Sequence, residues 1–114
     1  MEQFKMTPNS PVKLTVSISS AAIVGSNVSI NDKIIKKSIA YKFTTQLGNS
    51  EDLRGKFLTS FSNFSTHGEN ADAIINATKV TYTMRDSEKS KQYNGKLVKI
   101  DDNLYTIYLI LELI

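Results

Sequence analysis

The chain has 114 residues, 40% of them hydrophobic and 22% charged, with a formal net charge of +3 and no cysteine. A chain of this length buries roughly two-thirds of the surface its unfolded form exposes, enough for one domain with its own core. The lack of cysteine excludes disulfide staples, thiolate zinc sites and cysteine nucleophiles.

Residues 1–57 carry eight basic and four acidic groups, and residues 58–114 carry six and seven. So weak a basic balance is compatible with anionic partners, and equally with a solvated lysine-rich surface. The opening Met1 to Met6 lacks the apolar stretch of a signal peptide. The apolar C-terminus, eleven residues, is too short for a membrane helix. A cytoplasmic chain without a membrane span is expected, unless it is exported without a classical signal or Met1 is not the native start. Residues 1–10 are expected to be a flexible N-terminal segment and residues 11–114 a single β-rich domain.

Val12 to Ser19 alternates cleanly, with Val12, Leu14, Val16 and Ile18 on one side and Lys13, Thr15, Ser17 and Ser19 on the other. That is a strand with one face in water. Pro8 and Pro11 limit pairing before it. Ala21 to Val24 runs into Gly25-Ser26-Asn27, which reads as a turn cluster, and Val28-Ser29-Ile30 as a short strand. Asn31-Asp32-Lys33 reads as a tight turn. Further on, Ile39, Tyr41 and Phe43 share the face of a strand spanning Ile39 to Thr45.

Residues 50–65 carry two patterns. Leu53, Phe57, Phe61 and Phe64 recur at helical spacing, and Ser50 with Glu51 and Asp52 resembles a helix start. The serines, threonine and asparagine between them are poor helix formers, which favours a strand over Lys56 to Phe64. Asn70 to Ala77 suggests one short helix, centred on Ala71–Ile75 and capped by Asn70. Lys79 to Asp86 alternates, with Val80, Tyr82 and Met84 inward. Lys91 to Ile100 changes phase at Asn94-Gly95, a bulge or a two-residue hairpin turn. Asp101-Asp102-Asn103 then turns into the last strand, Leu104–Ile114, and the final three strands are expected to form an antiparallel meander.

In that last strand Tyr105, Ile107, Leu109, Leu111 and Leu113 form one apolar face, and Leu104, Thr106, Tyr108, Ile110 and Glu112 a mixed one. One fully apolar and one half-apolar face mark a central strand. Six to eight short strands point to an all-β fold. An antiparallel β-sandwich of immunoglobulin-like type is the leading architecture, and a small β-barrel the alternative.

Catalytic motifs are missing. There is no G-x-S-x-G, P-loop or G-x-G-x-x-G. His67 is the only histidine and reads as a loop residue beside Gly68, with Glu69 and Asp72 nearby. Asp101, Asp102 and Asn103 read as a self-capping turn, not a calcium loop. The remaining acids, Glu51, Asp52 and Asp86 among them, have no spacing that sets two across a cleft. No enzyme activity and no cofactor or metal are expected. The Asn27, Asn63 and Asn76 triplets match N-x-[ST] and read as chance in an Asn/Ser-rich chain.

The expected function is therefore a non-catalytic protein-interaction or assembly module, with a protein partner or self-association. Leu104, Tyr108 and Ile110, on the mixed face of the last strand, are the candidate partner-binding residues. The alternatives are an anionic-polymer or nucleic-acid binder and a carrier of a small apolar ligand. For the former, Lys36, Lys37 and Lys42 are the candidate anion-binding residues. A second basic set, Arg85 to Lys99, would have to share their face, with Tyr41, Tyr93 or Tyr105 exposed for stacking. For the latter, Phe57, Leu58, Phe61 and Phe64 could line a pocket; the same cluster could instead be a partner-binding face, and core is its favoured reading.

Overall fold

The computed structural model describes residues 1–66 and 70–114. His67, Gly68 and Glu69 lie outside the described residues, and with them the polar cluster expected there. Ten strands and two short helices follow in chain order: β1 Gln3–Phe4, β2 Pro11–Ser19, β3 Ile23–Ile30, β4 Lys33–Ser38, β5 Lys42–Asn49, α1 Ser50–Leu53, β6 Phe57–Ser65, α2 Ala71–Asn76, β7 Lys79–Arg85, β8 Ser90–Asn94, β9 Lys96–Asp101 and β10 Leu104–Leu113. Among the described residues no helix is long and apolar enough to cross a membrane.

The strands form two sheets packed face to face, the expected all-β, sandwich-like architecture with a short helix. The larger sheet has the order β1-β10-β6-β3-β4, with β9 also on β10; the smaller has β5-β2-β7-β8. Among the described residues no strand pairing joins the sheets, so the alternative of a closed barrel is not formed. Period-2 alternation supplies the core between them: Val12, Leu14 and Val16 from β2, Tyr82 and Met84 from β7, Leu58 and Phe64 from β6, and Leu109, Leu111 and Leu113 from β10. Burying each such aliphatic side chain stabilises the fold by about 1.5–3 kcal/mol. The central position expected for β10 is observed, with β6 along one side and β9 and β1 sharing the other.

Five features depart from the sequence expectations. The N-terminal segment is not a free tail. Gln3 and Phe4 pair in parallel with Glu112 and Leu113, and Phe4 and Met6 are buried. The Met6 N–H donates to Ile114 O at 2.8 Å, and the Tyr93 hydroxyl to Gln3 O at 2.7 Å. Two apolar side chains and an open sheet edge hold the segment before Pro8, and Pro8-Asn9 turns the chain into β2.

Gly25-Ser26-Asn27 is not a turn; β3 runs straight through it, because it lies between β6 and β4 and both ladders bond its backbone. The Ser26 and Ser62 hydroxyls meet at 2.8 Å inside the core. The Asn31-Asp32 turn is as expected: both residues have positive φ, 46° and 68°, as a two-residue hairpin loop requires.

Ile39, Tyr41 and Phe43 do not share a face. The chain leaves the larger sheet after Ser38 and joins the smaller at Lys42, so Phe43 is in the core while Ile39 is 84% exposed.

Both patterns over residues 50–65 are real but consecutive: one helical turn, then strand β6. The turn is capped by Asn49, not Ser50, its Oδ1 accepting the Glu51 N–H at 3.0 Å. Ser50 is buried and accepts the Ser10 N–H at 3.0 Å. Asn70 holds the cap position of α2 without a side-chain cap bond.

The terminal meander is split. β8 pairs with β7 in the smaller sheet and β9 with β10 in the larger, so Gly95 is a crossing between sheets, neither a bulge nor a hairpin turn. A Cβ there would lie 2.5 Å from Ile107 Cγ2 and 2.9 Å from Tyr82 Cε2. Only glycine lets the backbone pass so close over the core.

Candidate functional site

The inward side of β10 is fixed by its odd residues, so the even ones face out. β6 alternates in the same way. Leu58, Ser60, Ser62 and Phe64 point inward, and Phe57, Thr59, Phe61, Asn63 and Ser65 outward. Antiparallel pairing brings Tyr108 directly opposite Phe61, with ring centroids 5.9 Å apart and planes tilted by 34°. Phe57, Phe61 and Ile110 are 39%, 38% and 38% exposed, on strands that lie inside the sheet.

The register extends this pair into a row across five strands. Lys96 of β9 is opposite Tyr108, Phe61 is opposite Asn27 of β3, and Asn27 is opposite Lys37 of β4. Cross-strand partners share a face, so one line reads Lys96, Tyr108, Phe61, Asn27, Lys37. At about 4.8 Å per strand it spans roughly 19 Å. The next row on one side holds Val98, Thr106 and Asn63, where Thr106 Oγ1 donates to Asn63 Oδ1 at 2.6 Å. On the other side Ile110, Thr59 and Ser29 line up.

Each end of the row opens into a depression. One, about 450 Å³, is lined by Asn27, Lys37, Ile39 and Asn63 among others. The other, about 200 Å³, includes Asn94, Lys96, Tyr108 and Ile110. The latter sits where β10 changes neighbours: β9 pairing stops at Tyr108 and β1 pairing starts at Glu112, so among the described residues no strand pairs with Leu109 to Leu111 on that side.

The candidate partner-binding residues Leu104, Tyr108 and Ile110 lie together on this outer face. The candidate anion-binding lysines are not brought together. Lys36 is opposite Val28, which points inward, while Lys37 is opposite the outward Asn27, and Lys42 opens β5 in the other sheet. Only Lys37 serves this face. Of the tyrosines expected for stacking, Tyr93 and Tyr105 are buried; Tyr41 is exposed, with its hydroxyl donating to Ala22 O at 2.6 Å, but it lies in the connection between the sheets, outside this row. The aromatic cluster of β6 divides by alternation: Leu58 and Phe64 are core, Phe57 and Phe61 surface.

Of this row, Asn27 has no signal in the sequence as a site residue; Phe61 and Lys96 fall there in an aromatic cluster and a diffuse basic set, and nothing local makes them neighbours of Tyr108. The favoured core reading of the whole Phe57, Leu58, Phe61, Phe64 cluster holds for half of it, because the inner side of β6 includes two serines, Ser60 and Ser62, in place of Phe57 and Phe61. Ser60 and Ser62 are fully buried because the Tyr82 ring from the opposite sheet occupies the volume above them.

The titratable groups lie mostly away from this face. Burial pushes the Tyr82 phenol up, the nearby Ser62 and Ser60 hydroxyls offsetting part of it. Burial and then the Glu2 charge raise Tyr93 to about 12. Tyr105 is raised to about 12 by its hydrogen bond to Asp72, followed by burial and the Asp72 and Asp102 charges. The Asp101 carboxylate accepts the Asp102 N–H at 2.6 Å, the self-capping turn that was expected. Among the described residues no group of three His, Asp or Glu side chains is placed to hold a metal ion.

No protein-family model, curated protein or solved structure matches this chain.

Proposed function

We propose that this chain is a non-catalytic interaction module that works through the outer face of its larger sheet. The supporting observation is the contiguous surface of Phe57, Phe61, Tyr108 and Ile110 on two interior strands. Apolar area held in water there gains free energy when a partner covers it. The partner expected from the sequence is a protein or a second copy of this chain.

Light scattering on a sizing column, across a range of concentrations, tests self-association. A mass above 12.7 kDa that returns to the monomer in Ile110→Lys, with thermal unfolding unchanged, supports it. A monomer at every concentration removes self-association and leaves a partner in trans. Loss of folding in both Ile110→Lys and Tyr108→Lys would overturn the outer-face reading, since the positions would then be structural.

A further inference from the structure

Resting on that reading of the outer face, we propose that its middle row is a binding track for single-stranded nucleic acid. The rows on either side hold Val98, Thr106 and Asn63, or Ile110, Thr59 and Ser29, and would suit many flat surfaces. The middle row is more selective. Two aromatic rings lie side by side at its centre, 5.9 Å apart. An amide, Asn27, adjoins them, and a lysine closes each end.

Bases splayed from a single strand stack on such rings because every base has a π-face, and phosphates pair with flanking ammonium groups. The depressions at the two ends each combine a lysine with asparagine: Lys37 with Asn27 and Asn63, and Lys96 with Asn94, the latter beside Glu2. Those amides can donate to and accept from the edge of an unpaired base.

Charge separates this occupant from a second copy. Two copies stacked face to face along the row would set lysine against lysine at both ends, a like-charge contact that disfavours the pair. An anionic strand reverses that sign. Three acids border the face: Glu2 lines the depression at the Lys96 end and offsets part of that charge, while Asp101 and Glu112 lie toward opposite ends of β10, Glu112 accepting a hydrogen bond from Gln3 at 2.7 Å. A duplex fits poorly, since its bases are stacked away and a broad flat sheet does not enter a groove that admits a helix or two-stranded ribbon.

Fluorescence anisotropy with labelled mixed-sequence single strands of about ten nucleotides, one DNA and one RNA, tests the track. Binding is expected at about 50 mM salt and should weaken as salt rises. Tyr108→Ala and Phe61→Ala should each lower affinity about ten-fold. Lys37→Gln and Lys96→Gln should each reduce the slope of log affinity against log salt by about 0.7. These lysine changes are on exposed side chains and remain informative if an aromatic variant folds poorly. Thr15→Ala, on the other sheet, should change nothing. Absence of binding at low salt, equal affinity for a duplex, or affinity indifferent to both rings and both lysines would overturn the proposal. If oligonucleotides fail while Ile110→Lys still dissociates a self-associated form, the face stands and its occupant is a protein. If Ile110→Lys and Tyr108→Lys both unfold the chain, both readings fall together.

Discussion

The two sheets share one core but present unlike surfaces to water. Across the smaller sheet the central outer row reads Thr44, Thr15, Thr83, Gln92, and the Thr15 and Thr44 hydroxyls meet at 2.8 Å. Across the larger sheet the corresponding row reads Lys96, Tyr108, Phe61, Asn27, Lys37. Inner faces are constrained by the volume they must jointly fill. Outer faces are not, so a threonine row suffices where only β-propensity and solvation matter. Aromatic rings on the outer face of the other sheet add nothing to the shared core, which is why the proposed function is placed on that surface.

The sharpest way to break this contrast is on one strand. Leu111 is fully buried and Ile110, its neighbour, faces out. Leu111→Ala should cost about 2–5 kcal/mol, from lost transfer energy and the cavity left behind. Ile110→Ala should cost about 1 kcal/mol or less. Chemical denaturation measures both, and equal losses would mean that the outer face is covered within the chain.

A smaller effect is expected where the sheets exchange the chain. Gly95→Ala forces a methyl to within 2.5 Å of Ile107 Cγ2 and 3.1 Å of the Tyr108 carbonyl oxygen. Overpacking of this kind costs about 1–3 kcal/mol. A neutral result in thermal unfolding would show that the crossing is looser than described.

Ser60 should give a change of the opposite sign. Among the described residues its buried hydroxyl makes no hydrogen bond of normal geometry, although it lies near the Tyr82 phenol. Ser60→Ala removes an unsatisfied polar atom and should raise stability by about 1 kcal/mol. A clear loss in the denaturation midpoint would mean that the hydroxyl is satisfied in solution.

The last test concerns the segment that ties the sheets together. β1 belongs to the larger sheet, while Asp86, at the end of β7 in the smaller, accepts the Thr7 N–H at 2.8 Å. Burial pushes the Asp86 carboxyl up, but hydrogen bonds from Thr7, Glu88 and Lys89 outweigh it and hold the group below its ordinary value. A depressed folded pKa means stabilisation that is present above the unfolded value and disappears as pH falls through the folded one. Asp86→Asn should therefore flatten the acid limb of the melting temperature against pH, and an unchanged limb would assign that limb to other groups. Glu51 acts on the same segment: the Asn9 N–H and Arg54 hold its carboxyl low.

Much of the fold was legible in the chain itself. The alternation of Val12 to Ser19, Lys79 to Asp86 and Leu104 to Ile114 determined three central strands and which of their side chains are buried, because period 2 and a single apolar face admit one orientation. Asn31-Asp32 and the Asn70–Ala77 segment were likewise readable from local turn and helix preferences. Part of the candidate site followed too, since Tyr108 and Ile110 face out once Leu109 and Leu111 face in. Tertiary structure alone decided the rest. Whether Phe61 or Ser60 points inward depends on what Tyr82 brings from the opposite sheet. Whether Gly25 is a turn or a strand residue depends on the neighbours that bond its backbone. And Lys96, Tyr108, Phe61, Asn27 and Lys37 become one row only through strand register, a relation between residues far apart in sequence that no local preference encodes.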